Sequence, residues 1–153
     1  MSNKIALLNK VPARLIGAAF VVMTLTFASC STISSFDQYA YAQTTSVKVD
    51  ALNVMDLATQ NYDTNKVAVQ ELKTKLQKVY EYEKNRPKNE ITVKLWDKLL
   101  DPEGHLLGGF LVRWETEKKL GKVFISEEKK LVASAFDQIS GLESKKIKPS
   151  EIK

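Results

Sequence analysis

From residue 36 to residue 142 the apolar side chains recur every three or four positions, and no stretch alternates apolar with polar at a strand's period of two. That rhythm restricts the chain to amphipathic helices packed on one another. Val47, Ala51, Val54, Ala58 and Tyr62, at spacings of 4, 3, 4 and 4, place one face of a first helix over 36–62. A second helix over 66–84 follows from Val69, Leu72, Leu76, Val79 and Tyr80. Between them Asn61, Asp63, Thr64 and Asn65 make a break rich in capping residues, so short that the two helices form an antiparallel hairpin.

Pro87 ends the second helix, because proline disfavours helical geometry in the residue before it. Asn89 is the expected N-cap of a third helix over 90–100, which offers Ile91, Leu95, Trp96 and Leu99 to a core. Asp101 and Pro102 suit the cap and first position of a fourth, running to 118 through Leu106, Leu107, Phe110, Leu111 and Trp114. Gly108-Gly109 conflicts with that helix, since each glycine costs about 1 kcal/mol against alanine. Either two backbones approach closely there or the helix is broken. Lys122-Val123-Phe124-Ile125 reads as a connection, and Ser126 opens a last helix with the stripe Leu131, Val132, Ala135, Phe136, Ile139 and Leu142. The expected fold is all-α, an irregular bundle of four to five amphipathic helices over 36–144, followed by a basic flexible tail over 145–153.

The segment before this domain has a different character. Lys4, Lys10 and Arg14 appear with no acid, residues 15–27 carry no charge, and Ala28-Ser29 precede Cys30, the only cysteine. Basic, apolar and small residues in that order are the pattern of a secretory signal peptide, here 1–29. About 13 apolar residues make a helix of about 20 Å against the roughly 30 Å of a bilayer core, so a transmembrane helix is the weaker reading. The block around Cys30 resembles the lipobox of bacterial lipoproteins, with Phe27 where leucine is commonest. That resemblance implies cleavage before Cys30 and a covalent lipid on its thiol, diacylglycerol and then a further acyl chain such as palmitate. It leaves 30–35 as lipidated cysteine and tether, whose five residues after Cys30 reach at most roughly 17 Å. No other cofactor is implied.

Texture adds a second resemblance: the chain is similar to small uncharacterised helical lipoproteins of the Bacteroidota. Members of that group sent to the cell surface usually carry acids just after the cysteine. Here Ser31, Thr32, Ile33, Ser34 and Ser35 are uncharged and the first acid is Asp37. The implied location is the cell envelope, as an outer-membrane lipoprotein facing the periplasm.

Removing 29 of 153 residues leaves 124, with 20 Lys and Arg against 18 Asp and Glu, so the precursor's charge of +5 falls to +2. Cations alternate with acids, which argues against a nucleic-acid face. His105, the sole histidine, lies near Asp101 and Glu103 but has no nucleophile paired with it by a known motif. Glu81, Glu83, Glu115, Glu117, Glu127 and Glu128 read as solvated helix faces, and the sequence holds no HExxH metal motif, phosphate loop or GxSxG elbow. No catalytic and no metal-binding residue is assigned. Trp96, Trp114 and Tyr80 line a groove for a ligand or partner on one reading and the core on the other. Phe36, Tyr39 and Tyr41 either seat among lipid headgroups or continue the inward face of the first helix. Lys145, Lys146, Lys148 and Lys153 either meet anionic lipid or solubilise the tail. The expected function is that of a non-catalytic accessory or scaffold protein, membrane-bound through its lipid and binding another envelope protein. The alternatives are a small-ligand-binding helical module and a phage- or immunity-type lipoprotein.

Overall fold

The computed structural model describes residues 34–152. Cys30 and the signal-peptide segment lie outside them. Five α-helices account for most of the described residues, with no strand among them: α1 (Gln38–Asp56), α2 (Tyr62–Lys84), α3 (Glu90–Leu100), α4 (Leu107–Glu117) and α5 (Lys122–Glu143). Short 3-10 turns follow α1 at Leu57–Thr59 and α5 at Pro149–Glu151. None of the described helices is long and apolar enough to cross a membrane.

Each helix begins and turns inward for local reasons. Asp37 caps α1, its Oδ1 accepting from the Ala40 amide at 3.0 Å. The buried face of α1 is Ala40, Thr44, Val47, Ala51 and Met55, and small side chains on it let α2 and α5 pack closely. The Asn61 side chain accepts from the Asp63 amide at 2.9 Å and starts α2 at Tyr62, four residues earlier than the stripe predicts. The two long helices then bury Val69, Leu72, Leu76 and Val79 from α2, and Ile125, Val132, Phe136 and Ile139 from α5. Trp96 of α3 fills the space between them, edge-on to Phe136 with ring centres 5.8 Å apart.

The two ends of the bundle are fastened differently. At the Asn61 end, the turn after α1 is sewn to the turn before α5. Leu120 N donates to Ala58 O and Tyr62 N to Lys118 O, each at 2.8 Å, and the Trp114 indole donates to Gln60 O at 3.0 Å. The opposite end, where Asp37, Lys84 and Glu143 meet, is held by charged side chains.

Other helix ends also differ from expectation, beginning with α1, which stops at Asp56 and not at residue 62. Asp101 accepts from the Glu103 amide at 2.9 Å, but as a turn within a 101–106 loop, and α4 begins only at Leu107. Asn89 precedes α3 without capping it, because its side chain is turned inward. Residues 122–125 are the first turn of α5, with Ile125 buried, so that helix starts at Lys122 and not at Ser126. The segment expected as a flexible tail carries a turn in which the amides of Lys146 and Ile147 both donate to Gly141 O.

Gly108-Gly109 marks a close backbone approach. A Cβ on Gly109 would lie 1.8 Å from Gly104 O, and one on Gly108 would lie 2.3 Å from Leu100 O and 2.4 Å from Asp101 O. The chain reverses between α3 and α4 only because α4 rests its first turn on those carbonyls. Gly109→Ala is therefore expected to cost about 3 kcal/mol or more, at the upper end for overpacking. Gly121→Ala, with nothing within 4 Å, should stay within about 0.5 kcal/mol. Urea unfolding midpoints of the two variants check this.

Candidate functional site

The polar residues that the fold gathers together lie at the Asp37 end. Arg86, just past α2, points back into the bundle with only 7% of its side chain exposed. Its Nη1 donates to Glu83 Oε2 at 2.9 Å and Glu143 Oε2 at 2.6 Å, and its Nη2 donates to Glu143 Oε1 at 3.0 Å. This two-pronged grip on Glu143 joins the last turn of α5 to the end of α2. The same Nη2 donates to Ser35 O at 2.8 Å, and the Asp37 amide donates to Glu143 Oε1. The residues immediately preceding α1 are thus held by both halves of the ion pair.

A second layer surrounds the pair. Asn89 Nδ2 donates to Glu83 O at 2.9 Å and to Glu83 Oε2 at 2.6 Å. Glu83 Oε1 and Asn89 Oδ1, both buried, have no hydrogen-bond partner among the described residues. Tyr82 donates to Asp37 Oδ2 at 2.6 Å, and its ring stands edge-on to Tyr39 with centres 4.8 Å apart.

The charges respond to this setting. Burial pushes the Glu83 carboxyl above its ordinary 4.5, although hydrogen bonds from Arg86 and Asn89 pull the other way. Burial alone would lower the Arg86 guanidinium, but its hydrogen bonds to Glu143 and Glu83 raise it. The Tyr82 hydroxyl, the Ala40 amide and Arg86 hold Asp37 below its ordinary 3.8. Two carboxylates sharing one guanidinium are tolerated only while that guanidinium is present.

The sequence-predicted site residues fall elsewhere. Trp96 and Trp114 are fully buried, in separate parts of the core, Trp114 edge-on to Tyr62 at 5.4 Å. Neither lines an open groove, because each ring is needed to fill the space between helices. Tyr80 alone of that trio reaches a cleft, of about 250 Å³, shared with Leu76, Leu100, Leu107 and Leu111. Its hydroxyl donates to Asp97, which pushes its pKa up to about 12. His105 is exposed on the 101–106 loop, and among the described residues no group of three His, Cys, Asp or Glu side chains is placed to hold a metal ion. Glu81, Glu117 and Glu127 sit in exposed pairs with Lys84, Arg113 and Lys130. Phe36 and Tyr39 are exposed at 52% and 56%, so neither continues the inward face of α1.

Sequence reasoning placed Glu83 on a solvated face and gave Arg86 and Glu143 no role. The signal was periodic. Glu83 stands four residues beyond buried Val79, and Glu143 four beyond buried Ile139, each an acid in register with a core stripe. No known family model matches the chain, and neither does any curated protein or solved structure.

Removing the shared cation leaves two buried acids facing each other, so Arg86→Met is expected to destabilise the fold by about 3–5 kcal/mol in denaturant unfolding. A separate outcome concerns pH. Because the Glu83 carboxyl binds its proton more tightly folded than unfolded, it makes stability fall as pH rises from about 4.5 through the raised value. Asp37 acts oppositely, adding stability above its ordinary 3.8 that is lost as pH falls. Unfolding free energy measured against pH should therefore lose its decline above about 4.5 in Glu83→Gln; an unchanged decline would show that another group causes it.

Proposed function

We propose that this is a membrane-anchored envelope lipoprotein, lipidated on Cys30, that acts as a non-catalytic accessory or scaffold protein for another envelope protein. What supports the reading is the use of the Arg86 cluster. Its guanidinium and the Glu143 carboxylate are committed to Ser35 O, the Asp37 amide and each other. A cluster spent this way fastens the segment that follows the anchor to the body of the domain. The lipobox resemblance of Ala28-Ser29-Cys30 supplies the anchor, and two or more acyl chains, at about 0.8 kcal/mol per buried methylene, hold a protein on a bilayer stably. An outer-membrane location facing the periplasm completes the reading.

A second reading, a small-ligand-binding module, rests on the cleft beside Tyr80. It is mainly apolar, with Lys73 and Gln77 at its rim, and its volume of about 250 Å³ suits a small ligand.

Cys30→Ser separates anchor from domain. The variant is expected to leave the membrane fraction, or to stay unprocessed, and to take up no labelled palmitate; membrane retention equal to wild type without any label would overturn the anchor. Mild crosslinking of the wild type, detergent extraction and mass spectrometry then address the partner. One envelope protein recovered stoichiometrically, and lost in Cys30→Ser, supports the accessory role. Recovery of the lipoprotein alone turns the search to the cleft.

A further inference from the structure

We propose that the Asp37 end of the bundle docks directly on the bilayer surface, with Phe36, Tyr39 and Tyr82 seated among the lipid headgroups. The inference rests on the lipid anchor at Cys30 and adds an orientation to it.

Three observations carry it. The large exposed apolar side chains divide by type and place. Val49, Val67, Val112, Val123 and Leu131 are aliphatic and lie along the helices, whereas all three aromatic ones, Phe36, Tyr39 and Tyr82, lie at the Asp37 end. Aromatic rings with one apolar and one wet side are the residues favoured at the headgroup level. The rings stand in two pairs: Tyr39 meets Tyr82 at 4.8 Å, and Phe36 lies 6.3 Å from Tyr41 between ring centres.

Chain length is the second observation. The five residues between Cys30 and Phe36 span at most roughly 17 Å, while α2, with 23 residues, is about 35 Å long. An anchor so close cannot bring the Asn61 end to the same leaflet while the Asp37 end stands away from it. The third is the ion cluster, which fixes Ser35 and Asp37 to α2 and α5 and so limits how far the domain swings about its anchor.

Part of the charge at this end is matched, Arg86 by Glu83 and Glu143 and Lys84 by Glu81, while Lys145 and Lys146, just past α5, stand ready to add attraction to anionic lipid. Ring burial is the main attraction, so the docking should persist on uncharged membranes and in high salt.

The full-length lipidated protein in vesicles provides the test, with a nitroxide on Gln38→Cys beside the patch and, separately, on Val123→Cys at the other end. Two vesicle compositions are used, phosphatidylcholine alone and phosphatidylethanolamine with phosphatidylglycerol. The label at 38 is expected to be accessible to oxygen and shielded from a water-soluble nickel complex in both, while the label at 123 stays fully open to the nickel complex. Phe36→Ser with Tyr39→Ser should abolish the shielding at 38 while leaving a cooperative thermal unfolding transition, lowered only by the lost Tyr39–Tyr82 contact, and unchanged sedimentation with the vesicles. An open label at 38 in protein that does sediment overturns the docking and leaves the anchor intact. Shielding found only in the anionic vesicles overturns the ring-based contact in favour of lysine attraction. Failure to sediment at all counts against the anchor itself.

Discussion

A single guanidinium decides whether one end of this bundle closes. Arg86 pairs with two buried carboxylates and a backbone carbonyl from three separate parts of the chain. The net stabilisation from such a cluster is small, because taking the ions out of water nearly cancels their attraction. Its value lies in geometry. Apolar packing of α1 against α2 and α5 tolerates small slides, whereas a two-pronged guanidinium–carboxylate contact defines one register. The cluster thus converts adequate packing into a particular arrangement of three helix ends.

The opposite end relies mainly on backbone hydrogen bonds, with its ion pairs, Lys118 to Asp63 and Lys129 to Asp56, on the exposed surface. Backbone amides and carbonyls of the two turns pair with one another, and Trp114 adds an indole hydrogen bond and an edge-on contact with Tyr62. Between the ends, Trp96 and Phe136 supply bulk, and the glycine pair allows α4 to fold back onto the loop that precedes it. Among the described residues the two ends thus differ in kind: the ion pairs of the Asn61 end are exposed, whereas the Asp37 end buries its ions and carries the exposed rings.

Helix existence was legible in the sequence because it depends on local periodicity. The third helix emerges with the residues expected of it, Glu90–Leu100, and the all-α class follows from stripes that are each readable within twenty residues. Helix starts were less legible. Lys122 to Ile125 read as a connection because Val123 and Phe124 are β-formers rather than helix formers, yet burial of Ile125 and Val132 on one face favours the helix. The ion cluster was hidden for a different reason. Residues 35, 37, 83, 86 and 143 are brought together by tertiary structure, and an acid next to a helix end reads locally as solvated. The tryptophans illustrate the converse: their positions were clear, but whether a ring fills a core or lines a groove depends on neighbours from other helices.

The cluster also bears on the order of events as the chain folds. The contact between the Asp37 amide and Glu143 joins residues 106 positions apart, so it forms only after nearly the whole domain has been made. Earlier contacts, such as α1 against α2, are local and quick by comparison. The Asp37 amide therefore finds this partner only once the last turn of α5 is in place. A chain truncated before residue 143 would keep its hairpin but lose this final closure, which makes the closure a mark of a completely folded molecule.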